Sequence, residues 1–146
     1  MNYLKIKNFK CFYDIDIPLN GLTILAGANG NGKSTVIQAL LYLRRTIEHC
    51  ATWDSGRYNL KHHNGLNVEL NGTYCLALGN SSMILPKNSN SDKILLGLSK
   101  DNEGLAVEYE VPENKLWLAR PWDSITMTFL DGTTYRPVKY NTRYGR

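Results

Sequence analysis

The chain has 146 residues, a formal charge of +4 and a pI near 9.0, and 42% of its residues are hydrophobic. That length suits a single domain with a real core. No apolar run approaches the roughly 18 residues needed to cross a membrane, and the lysine-dotted N-terminus lacks the apolar stretch of a secretory signal, so the chain reads as cytoplasmic. The three cysteines, Cys11, Cys50 and Cys75, are far apart and odd in number, which fits free thiols in a reducing compartment better than disulfides or zinc. Adjacent His62 and His63 have no third ligand nearby and make a poor metal site. The basic residues are scattered; Lys5, Lys7 and Arg44-Arg45 are the densest, and a solvated surface explains them better than a DNA-facing patch.

Tyr3 to Lys7 and Tyr13 to Leu19 alternate apolar and polar residues, the pattern of half-buried strands. Asn20-Gly21 is a turn signal. Leu22-Thr23-Ile24-Leu25-Ala26 is a short apolar run with β-branched residues and predicts a buried parallel strand. Gly27-Ala28-Asn29-Gly30-Asn31-Gly32-Lys33-Ser34 then fits the phosphate-binding pattern G-x-x-x-x-G-K-[S/T]. In that pattern, the glycines let backbone N–H groups turn toward phosphate oxygens, the lysine reaches the outer phosphates, and the hydroxyl takes a position on magnesium. From Lys33 to His49, Val36, Leu40, Leu43 and Ile47 recur at helical spacing, and Ile37, Ala39 and Leu41 widen the apolar face. A helix starting at the loop would add its positive dipole end to the anion site.

The polar stretch from Ala51 to Gly65 reads as a surface loop. Beyond it, every signal is β. Leu66 to Leu70 and Thr73 to Leu78 flank Asn71-Gly72 as a hairpin. Pro86 to Asp92 reads as a polar loop. Lys93 to Ser99 and Leu105 to Val111 form a second hairpin, Leu116 to Ala119 a further strand, and Ser124 to Leu130 with Thr133 to Tyr140 a third hairpin around Asp131-Gly132. Trp117 and Trp122 suit packing better than base stacking. The fold class is therefore α/β leaning toward α+β: residues 1–49 carry strands, phosphate loop and long helix, 50–65 a loop, and 66–146 an antiparallel β arm. A Ras-like or kinase-like phosphate-loop domain would instead return to strand–helix alternation.

Two segments together carry a family resemblance. Ile6, Asn8, Phe9 and Lys10 match an opening I-x-N-F-[K/R], and Gly27, Asn29, Gly30, Gly32, Lys33, Ser34 and Thr35 match G-x-N-G-x-G-K-S-T. Over about its first third the chain resembles the N-terminal lobe of ABC-like AAA-type ATPase heads, the group of RecF, the SMC and SbcC-type proteins and the OLD-like ATPases of genome maintenance and phage defence. The resemblance implies ATP and Mg2+ as ligands. It implies nucleotide binding by Gly27, Asn29, Gly30, Asn31, Gly32, Lys33, Ser34 and Thr35, with Ser34 on the metal and Lys10 close to the nucleotide. Adenine preference is implied in the same way, alongside the absence of a guanine-reading N-K-x-D motif.

Heads of this group also need an apolar strand ending Asp-Glu, a Ser-Gly-Gly signature and a Gln-loop. None is found: Ile125 to Asp131 ends in one acid at a turn, and the sole glutamine, Gln38, falls inside the helix. No catalytic residue is assignable beyond Lys33. The sequence thus reads as an incomplete ATPase head whose ATP hydrolysis depends on a C-terminal lobe or a second head subunit, with DNA a further candidate partner. The alternatives are a non-catalytic, nucleotide-dependent module binding DNA or protein, and a small self-sufficient NTPase.

Overall fold

The computed structural model describes residues 2–54, 57–60, 66–80, 83–100, 103–111, 124–130 and 141–143. Strands β1 (Asn2–Phe9) and β2 (Phe12–Leu19) are followed by helix α1 (Lys33–Cys50). Then come β3 (Ala51–Asp54), β4 (Arg57–Leu60), β5 (Leu66–Glu69), β6 (Lys93–Lys100), β7 (Glu103–Glu110), β8 (Ser124–Leu130) and β9 (Asn141–Arg143). One six-stranded sheet has the order β2-β1-β6-β7-β8-β5, and β3-β4-β9 form a smaller one. Every pairing in both sheets is antiparallel.

The period-two pattern decides which side of the large sheet is dry. Leu4 and Ile6 on β1, Ile94 and Leu96 on β6, and Leu105, Val107 and Tyr109 on β7 are buried. The helix covers that side with Val36, Ala39, Tyr42 and Leu43. On the wet side, Lys5 pairs with Asp16 at 3.1 Å, Lys7 with Asp14 at 3.6 Å, and Lys93 with Glu108 at 3.4 Å.

The helix begins and ends where the sequence suggests, but its buried stripe is offset. Thr35, Ala39, Tyr42 and Thr46 join Val36 and Leu43 inside, whereas Ile37 is 52% exposed. Tyr42 and Thr46 are tolerated because their hydroxyls are used. Tyr42 Oη donates to Val68 O at 2.8 Å, and Thr46 Oγ1 donates to Tyr42 O at 2.8 Å. With its one proton so placed, Thr46 accepts from Tyr109 Oη at 2.7 Å.

Three expectations need correction. Residues 22–26 form no strand: the segment lies outside both sheets, with Leu22 and Ile24 each 77% exposed. Apolar, β-branched composition signals a preference for pairing but cannot supply the neighbouring strand. Residues 51–60, read as loop, contain the β3–β4 hairpin, in which Trp53 lies opposite Tyr58. Asn71-Gly72 does not join two strands either. Thr73–Cys75 form a 3-10 turn, with Tyr74 and Cys75 both at positive φ. The Asn71 side chain brackets that turn, donating to Gly79 O at 2.9 Å and accepting from Gly79 N at 3.0 Å.

The β6–β7 hairpin and β8 lie where expected. Pro86 to Asp92 remains outside the strands. Leu116–Ala119, Thr133–Tyr140, Asp131-Gly132, Trp117, Trp122, His62 and His63 lie outside the described residues.

Candidate functional site: the loop from Gly27 to Ser34

The loop joins an exposed segment to the start of α1, and all three of its glycines need backbone freedom. Gly27, Gly30 and Gly32 have φ of 152°, 90° and 86°, values L side chains rarely adopt. The helix ladder opens with Val36 N donating to Gly32 O at 3.0 Å. N–H groups in the first turn of a helix have no intrahelical acceptor, and no acidic residue occupies that turn of α1. Partial positive charge is thus presented to solvent without a competing carboxylate.

The Lys33 side chain folds back over the loop: Nζ donates to Gly27 O and, at 3.2 Å, to Ala28 O. Asn31 N donates to Ala28 O at 3.3 Å. Residues 27–31 are exposed, Gly32 is buried, Ser34 is exposed, and Thr35 is buried. The structure therefore holds Gly27, Asn29, Gly30, Asn31, Gly32, Lys33, Ser34 and Thr35 together in one loop-to-helix unit with an ammonium group above it.

The turn between β1 and β2 supports that unit from below. A Cβ added to Gly32 would stand 2.5 Å from Phe12 Cζ and 3.0 Å from Cys11 Sγ. Cys11 Sγ lies 3.9 Å from Thr35 Oγ1. Lys10, between Phe9 and Cys11, has φ of 53°, and its amide donates to Ile84 O at 2.5 Å. Partial burial pushes the Lys10 ammonium below the usual lysine range, against a smaller upward influence of Cys11. Lys10 thus stands one residue from the loop's contact point.

Asn8, in the opening motif, shows why an asparagine suits that position. It tolerates φ of 58°. Its Nδ2 donates to Ser91 O and Lys93 O, each at 2.9 Å, and its Oδ1 accepts from Ser89 Oγ at 2.7 Å. Sequence reasoning missed this side chain as an anchor; the sign was a short amide at a strand end, where such residues favour left-handed backbone.

The four basic positions densest in the sequence, Lys5, Lys7, Arg44 and Arg45, are charge-paired. Besides Lys5 and Lys7, Arg44 Nε meets Glu48 at 3.1 Å and Arg45 meets Glu69 at 2.7 Å. Among the described residues no group of three or more potential ligands could hold a metal through side chains alone. Cys11 and Cys75 are free and exposed. No helix among the described residues is long and apolar enough to cross a membrane.

Comparison with known proteins bears out the class that this loop and helix suggest. A family profile described as an AAA ATPase domain matches residues 1–117, and the chain belongs to that family. Three relatives connect it to the RecF, SMC and OLD branch of the phosphate-loop ATPases. It is 51% identical over 37 residues to an OLD nuclease of Thermus scotoductus, covering 25% of this chain and 7% of that protein. It is 34% identical over 53 residues to the DNA replication and repair protein RecF of Corynebacterium jeikeium, covering 36% and 12%. It is 32% identical over 94 residues to the chromosome partition protein Smc of Methanocaldococcus jannaschii, covering 62% and 8%. The chain thus spans about a tenth or less of each relative's length. No solved structure matches it significantly.

Proposed function

We propose that the chain is the ATP-binding lobe of an ABC-like ATPase head, with Gly27 to Thr35 as the triphosphate cradle. One observation carries this reading: three positive-φ glycines lead into the N-terminus of α1, with the Lys33 ammonium poised over the same loop. Phosphoryl transfer depends on positioning and charge neutralisation. Lys33 would leave its carbonyl acceptors for the outer phosphates, and Ser34, exposed on the first helical turn, would hold Mg2+. When bound, the ion would neutralise charge on the phosphates. Asn29, Asn31 and Thr35 complete the cradle, and Lys10 adds a cation at its base.

Hydrolysis on this reading needs a water-orienting acid from a second lobe or another subunit. The segment Leu22 to Leu25 favours such a partner. Apolar side chains that are 77% exposed at Leu22 and Ile24, next to the phosphate loop and outside any sheet, are what a missing neighbouring strand would cover. A role in DNA repair extends this proposal from the RecF relative, and one in phage defence from the resemblance to OLD-like ATPases. DNA contact through Lys5, Lys7, Arg44 and Arg45 is less favoured, since each already has an acidic partner.

Titration calorimetry with magnesium-ATP tests the cradle. Saturable binding is expected, and Lys33→Ala should weaken it by roughly 10- to 100-fold, the equivalent of one charge-assisted hydrogen bond of about 1.5–3 kcal/mol. Equal affinity in a variant with unchanged melting temperature would sink the assignment.

A further inference from the structure

Helix α1 is fastened to β5 and the segment after it at three levels. Tyr42 Oη donates to Val68 O at 2.8 Å in the interior, and Arg45, its side chain 14% exposed, meets Glu69 at 2.7 Å. The third level lies at the surface. There Tyr74 Oη donates to Glu48, and the Arg44 guanidinium stands 4.9 Å from the centre of the Tyr74 ring. Arg44 and Glu48 are also paired with each other one helical turn apart, with side chains 64% and 45% exposed. Two residues of α1 thus clasp one tyrosine by its ring and its hydroxyl.

The turn that delivers Tyr74 is firm at its base and strained at its tip. Asn71 bridges to Ala77, Gly72 N donates to Leu76 O at 2.8 Å, and Leu78 N donates to Leu70 O at 3.3 Å. Leu70, Leu76 and Leu78 are buried, which anchors that base in the core. At the tip, Tyr74 and Cys75 have φ of 58° and 57°. Glycine or asparagine would take such backbone without comparable strain. Strained positions persist where surrounding contacts hold them, and they concentrate at switch regions. The holding contacts here are one hydrogen bond to a carboxylate and one cation–π contact. Two left-handed residues oppose them with a free energy of the same order.

We infer that Tyr74 is a releasable latch on α1, and that a ligand in the loop from Gly27 to Ser34 holds it in the docked position. The coupling rests on the phosphate-loop reading and adds a regulatory contact at the other end of the same helix. α1 runs unbroken from Lys33 to Cys50, so the loop and the clasp bind opposite halves of one element. An anion bound at the first turn interacts with the helix dipole and fixes that end in place. A ligand that orders an element lowers the entropy cost of the next contact the element makes. Docking of Tyr74 between Arg44 and Glu48 is that contact. By linkage, docking must then strengthen nucleotide binding by the same factor.

Amide hydrogen exchange and calorimetry with magnesium-ATP test the latch together. Saturating magnesium-ATP should slow exchange at residues 71–77 by about fivefold or more, the lower end of allosteric couplings. Tyr74→Gly removes the clasp, so it should erase that protection and weaken magnesium-ATP binding by the same factor. Tyr74→Phe keeps the ring beside Arg44 and loses the bond to Glu48, so its affinity should fall between the two. A tyrosine that serves only the turn would lower the melting temperature of both variants yet leave their magnesium-ATP affinity within about twofold of the parent. That result would overturn the latch. Exchange at 71–77 unmoved by ATP, with binding registered in calorimetry, would also overturn it while leaving the phosphate loop intact. No binding by the unmodified chain would instead bring down the phosphate-loop reading, and the coupling with it.

Discussion

Gly32 faces Phe12 so closely that a single added carbon would stand 2.5 Å from the ring. The last glycine of the proposed phosphate loop is therefore held against the start of β2 as well as bent, at φ of 86°. Gly32→Ala meets both obstacles. A left-handed backbone costs an L residue about 1–2 kcal/mol, and relieving the overlap must displace Phe12 or the loop. Magnesium-ATP affinity is expected to fall at least tenfold in calorimetry, with a lower melting temperature. Gly30 has nothing within 4 Å of its added Cβ, so Gly30→Ala should show the backbone effect alone. Equal losses in the two variants would contradict the packing role of Phe12.

Ser34 is exposed on the first turn of α1, and its proposed role is specific to the metal. Ser34→Ala should leave metal-free ATP binding within about twofold while removing most of the gain from Mg2+, a change of roughly 1–2 kcal/mol for one lost oxygen ligand. Titrating both proteins with ATP in EDTA and in magnesium separates the effects. An unchanged magnesium dependence in the variant would remove Ser34 from the metal site.

Lys10 gives a prediction in pH. Burial lowers its folded-state pKa below the model-compound 10.5. Between the folded and unfolded values the unfolded chain binds more protons, so Lys10's contribution to stability rises with pH in that window and is least favourable below it. A phosphate beside the amine would favour the charged form and raise the pKa again. The pH profile of Lys10 acylation, followed by peptide mass spectrometry, should have a midpoint below 10.5 in the free protein and move upward with ATP. A midpoint unmoved by saturating ATP would place Lys10 away from the nucleotide's charge.

The parts of this molecule that could be read from sequence are those whose cause is local. Gly27, Gly30 and Gly32 announce a positive-φ loop because their conformational freedom belongs to each residue. Lys33 to Cys50 and the β6–β7 hairpin follow from periodicity, which reports one face toward a core. Partnership is different. Leu22 to Ala26 has the composition of an interior strand and lies outside both sheets, because pairing depends on a neighbour the segment cannot encode. Ala51 to Leu60 is polar enough to read as loop, yet it pairs internally and with β9. The site shows the same division: the cradle is a contiguous motif, whereas the contact of Gly32 with Phe12 joins two separate segments of the chain.

The buried hydroxyl chain under α1 offers a stability test remote from the site. Thr46 is fully buried, donating to Tyr42 O and accepting from Tyr109 Oη. Thr46→Val keeps the shape and removes both interactions, so a loss of about 1–3 kcal/mol is expected in urea unfolding. ATP affinity should be unchanged in the folded variant. A neutral result would mean that the Tyr109 hydroxyl is satisfied equally well without Thr46.

Asn8 connects the opening motif to residues 89–93. Its amide holds Ser91 O and Lys93 O, and its carbonyl receives Ser89 Oγ, while its backbone sits at φ of 58°. Asn8→Ala removes those bonds and puts a Cβ residue without side-chain compensation in the left-handed region. The combined cost is about 2.5–6.5 kcal/mol, from three hydrogen bonds near 0.5–1.5 kcal/mol each and a backbone penalty of 1–2 kcal/mol. Asn8→Gly removes the same bonds but keeps the backbone freedom, so it should recover roughly 1 kcal/mol of that loss. Urea unfolding of the three proteins resolves the difference. If alanine and glycine variants unfold together, the left-handed turn is not a constraint; if both match the parent, the anchor to residues 89–93 contributes nothing. Since Pro86 and Lys87 precede the anchored residues in the same segment, hydrogen exchange at 86–93 should also rise in both variants.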